Sequence, residues 1–92
     1  MDVSETLAHL KAKGNLSEVA QVTTFKGYRT NKQGETKAVT IEVYDSGLGD
    51  LSRYLVHAMD ADGRMAIGNA HTHLETAINQ LHWWDLDGDL LP

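Results

Sequence analysis

Two histidines stand one residue apart in the stretch Gly68-Asn69-Ala70-His71-Thr72-His73-Leu74-Glu75. Imidazole nitrogen is a common ligand for zinc and related metals, so His71 and His73 are candidate metal ligands, with Glu75 or His57 as further donors. A zinc site uses three or four protein ligands in defined geometry, and the spacing secures only this pair. The basic side chains form a second cluster. Lys26, Arg29, Lys32 and Lys37 are half of the eight Lys and Arg residues, and only Glu35 offsets them locally. Lys26, Arg29 and Lys32 are therefore candidates for phosphate contact, with Tyr28 placed to stack on a base. The acidic net charge favours a second reading, a solvated hairpin whose lysines discourage edge-to-edge aggregation.

The histidine run resembles the N-A-H-T-H-L segment that ends the first barrel strand in metal-dependent hydrolases of the amidohydrolase superfamily, where the two histidines grip a catalytic metal. That resemblance implies a metal-dependent enzyme using His71 and His73. It covers only the short stretch just quoted, and a (β/α)₈ barrel takes ~250 residues where this chain has 92. A local reading competes with it. Thr72 and Glu75 have the T-x-x-E spacing of a capping box, which makes Thr72 the N-cap of a helix and leaves His71 just outside it.

Other motifs fall short of a site. Asp85-Leu86-Asp87-Gly88-Asp89 is acidic in the manner of a calcium loop, but its glycine is fourth where an EF-hand requires it sixth. It reads as a solvated acidic tail beginning at about residue 85. Asp60 and Asp62 read as turn residues beside Gly63. No G-x-S-x-G elbow or phosphate-cradling glycine loop is present, and the absence of cysteine removes thiolate chemistry and disulfides. No catalytic set or cofactor is assigned.

The chain reads as one domain over 1–92. Its net charge of −5 opposes indiscriminate binding to nucleic acid and suits a basic partner or simple solubility. No apolar run reaches the ~18–20 residues of a membrane span, and the N-terminus lacks a signal-peptide pattern, so the expected setting is cytoplasmic, away from membranes.

The elements that must position these residues follow from periodicity. Val3, Leu7 and Leu10 predict a helix over 3–13, opened by a capping box of Asp2 and Glu5 and stopped by a left-handed Gly14. A first strand is expected over 18–29, then a turn at Asn31-Lys32-Gln33-Gly34. Val39, Ile41 and Val43 alternate with Thr40, Glu42 and Tyr44 in a second strand, and the segment Asp45–Asp50 breaks it. A third strand over 52–59, a tight hairpin at Asp60–Gly63 and a short fourth strand through Met65 and Ile67 complete the sheet. The last helix starts at Thr72, with Leu74, Ala77, Ile78, Leu81 and Trp84 on its apolar stripe and Trp83 on the opposite side. The fold class is α+β: a two-layer sandwich in the order α-β-β-β-β-α, an antiparallel meander of three to four strands with both helices on one face. This resembles in topology the double-stranded RNA-binding domains, which have one strand fewer. Where that family carries lysines at the start of the last helix, this chain has His71, His73 and Glu75.

A tryptophan outside the apolar stripe is a natural interface anchor. Trp83, with Trp84, Leu86 and Leu90, is accordingly the candidate contact set. In the alternative, the helix ends near Trp83 and Leu86, Leu90 and Leu91 fold over it. The expected function is a non-enzymatic protein-interaction module (an inhibitor, adaptor or regulatory subunit), its partner being another protein or a second copy in a homodimer. The alternatives are an RNA- or nucleotide-binding module using the basic hairpin, and the metal-dependent enzyme.

Overall fold

The computed structural model describes residues 3–47 and 51–87. The fold is α+β, with helix α1 (Val3–Gly14), strands β1 (Gln21–Thr30), β2 (Thr36–Asp45), β3 (Tyr54–Asp60) and β4 (Met65–Ile67), helix α2 (Leu74–Asn79) and a closing 3-10 turn, η1 (Trp83–Asp87). The strands form one antiparallel sheet in the order β1-β2-β3-β4, as short connections dictate.

Local chemistry fixes the turns. Between β1 and β2, the Asn31 side chain accepts hydrogen bonds from the backbone N–H of Gln33 and Glu35, and Gly34 takes a positive φ of 83°. The Asp60–Gly63 hairpin repeats the device, with Asp60 accepting from the N–H of Asp62 and Arg64 and Gly63 at φ 86°. After α1 the left-handed residue is Asn15, at φ 54°, and Gly14 belongs to the helix. The Leu16 N–H then returns to the Lys11 carbonyl in a Schellman-type closure. Asp2 of the expected first capping box lies outside the described residues.

One face of the sheet holds the core. Val39, Val43, Val56, Ala58 and Ala66 meet Ala77 of α2, the linker residue Leu81 and Leu86 of η1, with Ile41, Tyr54, Leu74 and Trp83 around them. The register explains the set: Val43 lies opposite Val56, Ile41 opposite Ala58 and Ala58 opposite Ala66, so all project to the same side. Helix α1 stands apart from this cluster. Its buried Leu7 lies against Gly47, just past the end of β2.

The carboxy-terminal region departs from the sequence expectation. Helix α2 is only six residues long, its N-cap is His73 without a side-chain capping bond, and Thr72 Oγ1 instead donates to the Leu51 carbonyl at 2.8 Å. The helix stops at Gln80, and η1 follows as a separate turn. This break brings Leu81 and Leu86, five residues apart, onto the same sheet, which a straight helix would not do. It also reverses the tryptophans. Trp83 packs against the core and its indole N–H donates to the Ile78 carbonyl at the end of α2, whereas Trp84 is 58% exposed.

Asp87 corrects the reading of a solvated tail. It is 1% exposed, accepts a 2.6 Å hydrogen bond from Arg29 and a second from the Lys32 N–H, and so ties η1 to the tip of the first hairpin. The Arg29 guanidinium holds the Asp87 carboxyl below the usual aspartate range, against the opposing effect of burial. Leu86, expected as a contact residue, is a core residue at 2% exposure.

Candidate interaction surface

Strand alternation places a second set of side chains on the face away from α2 and η1. Val22, Lys26 and Tyr28 of β1 align with Tyr44, Thr40 and Ala38 of β2, and Tyr44, Glu42 and Thr40 align with Leu55, His57 and Met59 of β3. His57 and Met59 in turn face Ile67 and Met65 of β4. Among the described residues no helix of the core layer covers this face. Val22, Tyr28, Met59, Met65 and Ile67 are between 45% and 82% exposed there. Towards the α1 end, Lys11, Glu18 and Val19 approach Tyr44, Leu55 and Ala70 around an open cleft of about 410 Å³.

The middle of this open face is polar but internally matched. The Tyr44 and His57 rings lie 5.1 Å apart in a tilted arrangement, and the Tyr44 hydroxyl donates to Glu42 at 3.3 Å. Partial burial, and then the Glu42 carboxylate, push the Tyr44 phenol upward from its ordinary value. Where β2 ends and β3 begins, Arg53 grips Asp45 through Nε at 2.6 Å and Nη2 at 3.0 Å, which depresses the Asp45 carboxyl.

The basic hairpin is divided by the pleat. Lys26 and Tyr28 lie on the open face, whereas Arg29 and Lys37, paired across the strands, lie on the other. Arg29 is committed to Asp87, and Lys37 contacts Asp62 at 3.0 Å and Glu35 at 3.7 Å. The Asp62 hydrogen bond is the chief cause of an upward shift at Lys37. Lys32 is exposed in the turn. The basic cluster of the sequence is thus reduced to Lys26, Tyr28 and Lys32 on the outside.

His71 is held by its backbone rather than by a ligand set. Its N–H and carbonyl exchange hydrogen bonds with Tyr54 at 2.8 and 2.9 Å, extending the sheet beyond β4. Two residues of β3 separate Tyr54 from His57, while three separate their partners Ile67 and His71, so Gly68-Asn69-Ala70 contains a bulge. His73 is exposed at the start of α2, and His57 projects from the open face. Among the described residues, no three His, Asp or Glu side chains converge as a metal-binding group.

Of the expected contact set, Trp84 is exposed and stacks on His82 with ring centroids 4.6 Å apart, Trp83 and Leu86 face inward, and Leu90 lies outside the described residues. Sequence reasoning missed the open face, although Leu55, Val56, Ala58 and Met59 signalled it: a strand apolar on both sides has two faces to satisfy. No helix among the described residues is long and apolar enough to cross a membrane. No protein-family model, characterised protein or solved structure matches the chain.

Proposed function

We propose that this protein is a small, non-enzymatic interaction module, an inhibitor, adaptor or regulatory subunit in a cytoplasmic setting, whose contact surface is the open side of its sheet. The observation that supports this reading is the group of Met59, Met65 and Ile67 at one edge of an uncovered face that also carries Val22 and Tyr28 at the other. Scattered exposed apolar residues are ordinary, but a grouped set on one face marks a binding surface. Two of the five are methionines, whose flexible side chains adapt to a partner's shape. The net charge of −5 steers encounters toward a basic partner. Trp84 offers a further exposed contact on η1.

Affinity capture with wild-type bait and a Met59→Lys/Ile67→Lys bait tests the reading, with circular dichroism verifying that both are folded. The double variant keeps its fold and recovers at least tenfold less of its partner. Equal recovery by the two baits rejects the open face as the contact surface. Recovery of RNA that disappears steeply with added salt would instead select the hairpin residues Lys26, Tyr28 and Lys32.

A further inference from the structure

The two edges of the sheet differ in how they are protected. β4 is three residues long, and a short edge offers little to pair with. β1 is a ten-residue edge strand whose residues are exposed at every position except the half-buried Arg29. The hydrogen bonds show which of its backbone groups are unpaired within the sheet. The Asn31 N–H bonds to the Glu35 carbonyl just beyond the β1–β2 register, so odd-numbered residues of β1 face β2. The N–H and carbonyl groups of Val22, Thr24, Lys26, Tyr28 and Thr30 therefore point out from the edge.

We propose that β1 is a self-recognition edge, pairing antiparallel with β1 of a second copy about a two-fold axis through Phe25. This goes beyond the interaction reading above: the edge takes a second copy of this chain and leaves the open face for another partner, and β1 itself carries no acidic residue to repel its copy. The register follows from the side chains. With Phe25 opposite the partner's Phe25, Val22 faces Tyr28, Thr24 faces Lys26, Thr23 faces Gly27 and Gln21 faces Arg29. Apolar meets apolar on the open face, and no like charges are opposed. Moving the axis by one residue, to Lys26, would set two ammonium groups face to face. The outward backbone groups of Val22, Thr24, Lys26 and Tyr28 all find partners in the favoured register, and Phe25, 54% exposed in the single chain, gains an aromatic neighbour. The two-fold arrangement consumes both β1 edges and leaves only the short β4 edges outside, so assembly closes at two. It also joins the two open faces into one eight-stranded surface.

Sedimentation equilibrium of the wild type at about 10–500 µM reports a monomer–dimer equilibrium. The chain lacks cysteine, so single cysteines report the register without background. Phe25→Cys forms a covalent dimer on mild oxidation because residues directly opposite at a non-hydrogen-bonded position lie within disulfide reach, and Thr23→Cys, two residues from the axis, does not. Thr24→Lys weakens association at least tenfold by opposing Lys26 of the partner, and adding Lys26→Glu restores it. A wild type that is monomeric throughout overturns self-pairing while leaving capture of another protein on the open face intact as a separate result. A dimer in which Phe25→Cys cross-links no better than Thr23→Cys overturns it as well.

Discussion

Both faces of this sheet carry apolar residues, and they differ in where those residues lie and in their size. The covered face has small side chains at its centre, Val39, Val43, Val56, Ala58 and Ala66, which let Leu81 and Leu86 approach closely, with the larger Ile41 and Tyr54 around them. The open face has longer ones toward β4, Leu55, Met59, Met65 and Ile67, with Tyr44 beside Leu55 and Tyr28 out on the β1 edge. Close packing requires fixed rotamers and complementary shape, whereas a surface that meets another molecule benefits from reach and adaptability. β3 carries both programmes on alternate residues. Its Val56 and Ala58 are buried to 1% exposure, and its neighbour Met59 is 45% exposed.

The sharpest way to break the comparison is to truncate matched residues on the two faces. Leu81→Ala and Leu86→Ala each remove a fully buried side chain and are expected to cost about 2–5 kcal/mol in chemical denaturation. Met59→Ala and Ile67→Ala should change stability by less than about 1 kcal/mol, since their side chains are half in solvent already. Equal losses on both faces would show that the open face is part of the fold.

The clamp between η1 and the first hairpin comes next in size. Arg29→Ala leaves the Asp87 carboxylate buried without its cation, whereas Asp87→Ala leaves a guanidinium that is 28% exposed and can hydrate. The arginine variant should therefore lower the thermal midpoint further than the aspartate variant. Negligible losses from both variants in calorimetry would mean that η1 is held by Leu86 and Trp83 alone.

Acidification gives a smaller effect. Asp87 and Asp45 have carboxyls depressed below the ordinary 3.8 by Arg29 and Arg53, so the unfolded chain binds protons first as pH falls. Their contribution to stability is complete above the unfolded value and is lost as pH drops through 3.8 and then through the lower folded values. Replacing either with Asn should flatten the pH dependence of the denaturation midpoint in that range. An unchanged slope would remove these two ion pairs as its source.

Much of the sheet was legible in the sequence because alternation and turn chemistry are local. Val39, Ile41 and Val43 marked the core side of β2, and Asp60–Gly63 marked a hairpin. The carboxy-terminal region was not, because long-range contacts decide it. Thr72 has the spacing of a capping residue, yet its hydroxyl is drawn to the Leu51 carbonyl 21 residues away. The continuous helical stripe to Trp84 yields to a break that buries Leu81, Trp83 and Leu86 together. Arg29 and Asp87 are 58 residues apart, and no sequence pattern couples them. The candidate surface was legible only in part: Tyr28 and Lys26 stood out by type, while Met59, Met65 and Ile67 emerged once strand pairing gathered them on one face.

The most direct test that β1 is a recognition edge is amide hydrogen exchange along that one strand, followed by NMR at low and high protein concentration. The inward amides of Thr23, Phe25, Gly27 and Arg29 are bonded to β2 and should be protected at both concentrations. The outward amides of Val22, Thr24, Lys26 and Tyr28 should exchange freely when dilute and become protected as concentration rises. Outward amides that stay equally fast at every concentration, beside protected inward ones, would contradict it.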